Sequence, residues 1–193
     1  MRLPEVERGE DLRSRSLIRL ISAVSRMRLP DAARVAFYHR NFVAPVLGSW
    51  TQAAMRGTSA WTVGERELMA AMVAKWNSCT FCIGAHRATA VHGVEAETVD
   101  ACLSDYRSAP IPEPLRAALV FLETMTLRPA QLGPADAAAA MAAGVTREQL
   151  ADAAAIGALF NIITRYSDAL GFAIPSDAEF GKAARMLLKR GYG

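Results

Sequence analysis

Apolar residues recur at helical spacing along almost the whole chain, and we find no convincing run of alternating apolar and β-branched residues. Recurrence at positions three and four apart is typical of amphipathic helices. Alanine, leucine and methionine, which favour helices, are abundant. The pattern predicts an all-α protein with helices at residues 11–27, 31–40, 42–56, 64–77, 79–92, 95–104, 113–127, 134–143, 147–171 and 177–190.

Residues typical of helix caps mark the segment in which the fourth predicted helix begins and ends. Thr62, with Glu65 three positions later, has the sequence of a capping box that opens this helix. The pair Asn77-Ser78 interrupts it and leaves Cys79 at the start of the next helix. We therefore expect two consecutive helices here rather than one long helix.

The domain organisation is indicated by a cluster of prolines at positions 110, 112 and 114, the best candidate for a junction between two halves. We expect residues 1–30 to form an N-terminal helical extension. Residues 31–193 are then expected to form one all-α domain.

An internal repeat would relate the segment around Cys79 to a later helix. A shift of 82 positions does this, and Cys79, Cys82 and His86 then fall on Asn161, Thr164 and Asp168. Both stretches are helical segments preceded by a threonine at the cap, so true duplication and shared amphipathicity are both open explanations.

Composition and charge exclude several classes of protein. The 193 residues are 52% hydrophobic and 21% charged, which is typical of a globular chain and not of a disordered one. The formal charge is only +3, and basic residues do not alternate with aromatic ones, so we expect no nucleic-acid binding. The N-terminus lacks the apolar run of a signal peptide, and the most apolar stretch, Ala151 to Thr164, is too short to span a bilayer. We expect a cytoplasmic protein without membrane contact.

The candidate chemistry is concentrated around a Cys-x-x-Cys pair, Cys79 and Cys82. Such a pair can cycle between dithiol and disulfide when a base generates a thiolate. In a reducing cytoplasm, it is more often catalytic or metal-binding than a permanent crosslink. His86 and Glu67, which precedes the first cysteine by twelve residues, are the candidate proton acceptors.

Helix geometry places this set on one side of the fifth helix. At about 100° per residue, Cys82 lies about 60° and His86 about 20° from Cys79, whereas His92 falls on the far side. Cys82 and His86 are four positions apart, so their side chains can meet. The free N–H groups at the helix start favour a thiolate at Cys79. Glu67 reaches the same place only if its own helix packs against this one.

Interpretations without redox catalysis exist for these residues and for the remaining cysteine and histidines. The two cysteines, His86 and Glu67 could together ligate zinc, which would make the protein a zinc-stabilised helical interaction protein without catalysis. Cys102 is expected to be a buried core residue, and His39 and His92 ordinary surface or interface residues.

The spacing of the candidate residues also resembles a known motif. Glu67, eleven residues, Cys79-x-x-Cys82 and then His86 after three residues resembles the core motif of the alkylhydroperoxidase D-like superfamily, which includes the carboxymuconolactone decarboxylase family. The stretch 166–172, YSDALGF, resembles the close of the helical core in peroxidase-related members. The likeness covers roughly residues 30 to 175.

This resemblance implies an all-α helical bundle that assembles into homo-oligomers, often trimers or hexamers. It implies a thiol peroxidase or disulfide reductase acting on a small hydroperoxide or disulfide, with a lipoyl protein, thioredoxin or small thiol as reductant and no bound organic cofactor. Cys82 would attack the peroxide and Cys79 would resolve the sulfenic acid as a disulfide. His86 would accept the Cys82 proton, and Glu67 would complete the relay.

One position departs from the motif. Well-known members carry a second histidine directly before the second cysteine, and this chain has Phe81 there. The departure favours a disulfide reductase over an efficient peroxidase. A carboxymuconolactone decarboxylase-type enzyme acting on a small acid or lactone is the enzymatic alternative, although the cysteine pair favours redox chemistry.

Overall fold

The computed structural model describes residues 1–38 and 44–192. Within these residues it contains eleven α-helices, a short 3-10 turn at Pro129–Gln131, and no strand, which confirms the all-α prediction. The helices are α1 (Pro4–Arg8), α2 (Leu12–Ser25), α3 (Asp31–Val35), α4 (Ala44–Arg56), α5 (Val63–Trp76), α6 (Thr80–Ala90), α7 (Ala96–Asp105), α8 (Glu113–Leu127), α9 (Pro134–Ala142), α10 (Arg147–Leu170) and α11 (Asp177–Arg190).

The predicted helices agree with α2 and α4–α11 to within two residues at each end. The helix expected at 31–40 is wrong at its C-terminal side, because α3 ends at Val35 and the next amides close tight turns onto carbonyls three residues back. His39, with the predicted helical residues 39–40 and 42–43, lies outside the described residues. Helix α1 and the 3-10 turn were missed because a single turn is too short to show periodicity.

Helix α5 forms the centre of the fold. It packs against α6, α8 and α10, and its residues from Arg66 to Ala74 are all buried. Its first turn touches the turn after α6, where a Cβ on Gly64 would lie 2.7 Å from the carbonyl carbon of Gly93. The two glycines thus allow the close approach of α5 and α6 that brings residues of both helices into one site.

The break between α5 and α6 has a defined structure. The backbone of Ser78 is left-handed, with φ 59°, and the Cys79 amide donates back to the Ala74 carbonyl over 2.9 Å. The Asn77 side chain donates to Asn161 and Thr164 of α10, each over 3.0 Å. These contacts fix where α6 begins and hold the break against α10.

The internal repeat is not confirmed. The capping threonines of α5 and α10, Thr62 and Thr146, are separated by the same 84 positions as the contacting pair Asn77 and Asn161, not by 82. The shift of 82 positions, which placed the cysteines over Asn161 and Thr164, therefore does not superimpose the helix starts.

The N-terminal segment is hydrogen-bonded to the end of α10 and to the residues that follow it. The Arg2 amide donates to the Leu170 carbonyl over 2.6 Å. Asp31 is fully buried and accepts hydrogen bonds from the Ala173 amide over 2.7 Å and from Arg28 over 2.6 Å. Among the described helices, none combines the length and the apolar character needed to cross a membrane.

Candidate thiol site

The first part of the site is a buried contact between α5 and α6. Glu67 lies in the middle of α5 with 0% of its surface exposed, and its Oε2 lies 2.6 Å from Nδ1 of His86 on α6. The ring of His86 also stands edge-on to Phe160 of α10, at 4.4 Å between centroids. The packing of α5 on α6 thus brings together the carboxylate and the imidazole that the sequence singled out.

The second carboxylate oxygen of Glu67 has two donors that sequence reasoning missed. Arg56, at the end of α4, donates through Nη2 to Oε1 over 2.6 Å, and the Tyr192 hydroxyl donates to the same oxygen over 2.9 Å. The Arg56 guanidinium lies over the Tyr192 ring at 4.8 Å. No local pattern could reveal these residues, because they are 11 and 125 positions from Glu67 in the sequence.

These contacts set the ionisation of Glu67. Burial alone would raise its pKa, but the hydrogen bond and charge of His86, followed by those of Arg56, outweigh burial and lower the pKa. Glu67 is therefore an ionised carboxylate at neutral pH, despite complete removal from solvent. An ionised carboxylate facing Nδ1 orients the ring of His86 and leaves Nε2 as the second ring nitrogen available for proton exchange.

The second part of the site is the cysteine pair at the start of α6. Cys79 is the N-cap residue and is 0% exposed, and Cys82 is 2% exposed. A hydrogen bond from the Cys82 thiol lowers the pKa of Cys79 more than burial raises it, and that same bond, together with burial, raises the pKa of Cys82. Of the two thiols, Cys79 is therefore the one that ionises more readily, and Cys82 holds its proton more firmly.

Ser167 on α10 is a further residue that sequence reasoning did not place in the site. Its hydroxyl oxygen is buried and, among the described residues, has no oxygen or nitrogen partner. It faces the thiols instead, and its hydrogen bonding lowers the pKa of both Cys79 and Cys82. The signal for it lay within the 166–172 stretch that resembles the close of the helical core.

An aromatic wall, made of Phe81, Phe172 and Phe180, stands beside the sulfurs. Phe81 packs edge-on against Phe172 at 5.1 Å and is tilted against Phe180 at 5.9 Å. The two cysteines, Phe81 and Phe180 belong to one buried cluster. The residue that departs from the motif is thus a packing residue, and the surroundings of the thiols are apolar on this side.

The remaining candidate residues lie elsewhere. His92 is exposed, and Cys102 is a fully buried, free cysteine in the main core, as expected. Burial raises the pKa of Cys102, so its thiol stays protonated. Within residues 1–38 and 44–192, no three His, Cys, Asp or Glu side chains are arranged as metal ligands.

Comparison with known proteins identifies the fold. No protein-family model and no curated protein matches the chain. Among solved structures, the alkylhydroperoxidase AhpD core of an uncharacterized peroxidase-related protein from Ralstonia eutropha JMP134 is similar over 95% of this chain and 96% of its own, with a TM-score of 0.76 and 25% identity.

Two further solved structures show the same fold. An uncharacterized peroxidase-related protein from Silicibacter sp. TM1040 has a TM-score of 0.77 and 21% identity, over 93% of each chain. The debrominase Bmp8, solved in complex with 2,3,4-tribromopyrrole, has a TM-score of 0.70 and 17% identity, over 94% of this chain and 92% of its own. The chain has the alkylhydroperoxidase D-like fold, which confirms the resemblance drawn from the motif.

Proposed function

We propose that this protein is a thiol-dependent oxidoreductase that reduces small hydroperoxides or disulfides through Cys79 and Cys82. The observation that carries the proposal is a hydrogen-bonded cysteine pair at a helix start, one turn from a histidine that a buried carboxylate orients. These are the parts that thiol redox catalysis needs: a thiolate, a second thiol and a proton carrier.

The proposed reaction on a hydroperoxide uses the cysteine pair and His86. His86 accepts the proton of Cys82, whose sulfur then attacks the terminal peroxide oxygen, forms an S–O bond and breaks the O–O bond. The alkoxide leaves with a proton that His86 can relay, which gives an alcohol and a sulfenic acid. Cys79 then displaces hydroxide from that sulfur, which forms the disulfide and, with one proton, water. An external thiol reductant returns two electrons to the pair.

Reduction of a disulfide uses the same pair without the sulfenic acid. One thiolate attacks a substrate sulfur and releases a thiol, and the second cysteine resolves the mixed disulfide. The aromatic wall beside the sulfurs offers an apolar surface, so it supports an apolar substrate of either kind.

Thiol counting and turnover test the proposal. One equivalent of cumene hydroperoxide should remove two thiols per chain as a Cys79–Cys82 disulfide, and Cys82→Ser should abolish turnover with every reductant. Cys102→Ser is the matched control and should behave as the wild type. The proposal is wrong if both thiols of the pair survive excess hydroperoxide and exchange with no disulfide. Turnover of a carboxylated lactone that survives Cys79→Ala would instead support the decarboxylase alternative.

Reductive debromination is a second candidate, favoured by the aromatic wall and by the fold shared with a debrominase. A dithiol can supply the two electrons that replace bromine by hydrogen, with release of bromide and formation of a disulfide. Incubation of the reduced protein with 2,3,4-tribromopyrrole should release one bromide per disulfide formed. Absence of bromide release, together with peroxide turnover, would remove this candidate.

We also propose that the protein assembles as a homo-oligomer. Helix α2 exposes large apolar side chains to solvent, with Leu12 80%, Leu20 60% and Val24 77% exposed. Several large apolar side chains exposed on one helix support an interface with a second copy of the chain. Light scattering should give a mass of at least two chains, and Leu20→Glu with Val24→Glu should lower that mass. A wild-type mass of one chain, 20.8 kDa, would contradict this.

A further inference from the structure

We propose that Tyr192 is a positioning residue of the thiol site, and that the segment after α11 is therefore part of the catalytic apparatus. The inference rests on the proposed function and extends it to a residue more than one hundred positions from the motif. Tyr192 acts by holding Glu67, which in turn holds His86.

The hydrogen bonds around Glu67 are divided between its two oxygens. Oε1 receives both Arg56, over 2.6 Å, and the Tyr192 hydroxyl, over 2.9 Å, whereas the described residues give Oε2 one partner, His86, at 2.6 Å. With Oε1 held by two donors, the carboxylate plane is fixed and Oε2 stays directed at the imidazole. Loss of the Tyr192 hydroxyl would leave Arg56 as the single donor and allow the carboxylate to rotate about it.

The segment carrying Tyr192 is built to return to this place. The Gly191 amide donates to the Leu187 carbonyl over 2.8 Å and its φ is 75°, a backbone conformation that favours glycine. A Cβ on Gly191 would lie 2.5 Å from Oε1 of Gln52. That same oxygen of Gln52 accepts the Tyr192 amide over 2.7 Å. The chain thus turns at Gly191 and is held on α4 beside Arg56.

The Tyr192 hydroxyl keeps its proton, as a lasting hydrogen-bond donor must. Burial, followed by the negative charge of Glu67, raises its pKa well above the ordinary value for tyrosine. It therefore remains a protonated donor wherever the enzyme could work. A donor to the charged form of a carboxyl lowers the pKa of that carboxyl, so removal of the hydroxyl should raise the pKa of Glu67.

The test is Tyr192→Phe, which keeps the ring under the Arg56 guanidinium and removes only the hydroxyl. We expect kcat to fall about tenfold, the equivalent of one hydrogen bond to a charged group, with little change in KM. The acid limb of the pH–rate profile should move to higher pH. The matched control is Tyr106→Phe, because Tyr106 also donates to a carboxylate, that of Glu123 over 3.0 Å, and belongs to the main core and not to the cluster that holds Cys79 and Cys82.

A readout independent of turnover separates this inference from the proposed function. The sequence has three histidines, so the Nδ1–H signal of His86 can be assigned by NMR with His86→Gln. Tyr192→Phe should shift this signal or speed its exchange with water, and Tyr106→Phe should leave it unchanged. Wild-type kcat, pH profile and His86 signal in Tyr192→Phe would overturn the inference, even if Cys82→Ser abolishes turnover. If Tyr192→Phe alters the His86 signal but the wild type shows no turnover, the positioning role is supported and the proposed oxidoreductase function is overturned.

Discussion

Helices α5 and α10 begin alike and continue differently. Each opens at a threonine in a capping box, Thr62 and Thr146, and each carries an asparagine at the same distance from that cap. Helix α10 continues through Asn161 for 24 residues in all, whereas α5 stops just before Asn77 and a new helix starts three residues after it, at Thr80. The comparison shows that the interruption, as much as the cysteines, makes the site.

A second difference lies five positions after each capping threonine. In α5 this position is Glu67, which is fully buried, and in α10 it is Ala151, which is exposed. Helix α5 is enclosed on nearly all sides, so a charge on it must be neutralised by other side chains. The first helix therefore provides a buried charge and a new helix start, and the second provides neither.

The largest expected effect comes from removal of that buried charge. Glu67→Ala leaves the largely buried charge of Arg56 without a carboxylate partner, so we expect the free energy of unfolding in urea at pH 7 to fall by about 3–5 kcal/mol. The converse change at the corresponding position, Ala151→Glu, should alter it by less than about 0.5 kcal/mol. A loss below about 1 kcal/mol for Glu67→Ala would show that the Glu67 contacts are of little energetic importance.

The same charge should be visible in acid. A carboxyl whose pKa is lowered by folding stabilises the fold above its unfolded pKa, and that contribution is lost as the pH falls through its folded value. The difference in unfolding free energy between the wild type and Glu67→Gln should therefore shrink from about pH 5 downward. A difference that stays constant over this range would mean that Glu67 is not ionised in the folded protein.

Glycines in α6 and α10 allow a test of packing. A Cβ on Gly84 of α6 would lie 2.5 Å from the Phe180 ring, and one on Gly157 of α10 would lie 2.7 Å from Leu122. Each alanine substitution should cost about 1–3 kcal/mol of unfolding free energy. Only Gly84→Ala, beside the cysteines, should also slow alkylation or oxidation of the pair. Equal rates of alkylation or oxidation of the cysteine pair in both variants would show that the α6–α11 contact does not influence thiol reactivity.

The hydrogen bonds that join the two helices are worth less. Asn77→Ala removes the donors to Asn161 and Thr164, and should cost about 1–2 kcal/mol. A double-mutant cycle with Asn161→Ala should give a coupling of about 0.5–1 kcal/mol between the two asparagines. A coupling of zero would mean that the break is held by the backbone turn alone.

The smallest effect is expected at the break itself, with the opposite sign. Ser78 has a left-handed backbone, a conformation that costs a side chain more than it costs glycine. Ser78→Gly should therefore stabilise the protein by up to about 1 kcal/mol, with the start of α6 and the thiol reactivity unchanged. Destabilisation would show that the serine side chain contributes to the turn.

The sequence predicted what depends on neighbours along the chain. The starts of α5, α6 and α10 were placed to within one residue, because the capping box at Thr62 and the Asn77-Ser78 break are local signals. The meeting of Glu67 and His86 was expected only on condition that their helices pack together, and the structure meets that condition.

What could not be predicted depends on folding back from a distance. Arg56 and Tyr192 reach Glu67 from other helices or segments, and nothing near either residue distinguishes it from an ordinary surface arginine or tyrosine. The early end of α3 was missed because tight turns, not a proline or glycine, close it. The packing role of Phe81 likewise required Phe172 and Phe180 to be placed in space.

Burial of both sulfurs has a consequence for kinetics. A protein reductant cannot contact the sulfurs of residues that are at most 2% exposed until the surrounding helices separate locally, and such an opening also admits a small peroxide. The observed rate is then the intrinsic rate multiplied by the small fraction of molecules that are open at any moment. Large and small reagents would differ in rate, because each requires an opening of a different width. The alkylation rates of Cys79 and Cys82 with reagents of increasing size would therefore report how often openings of each width occur.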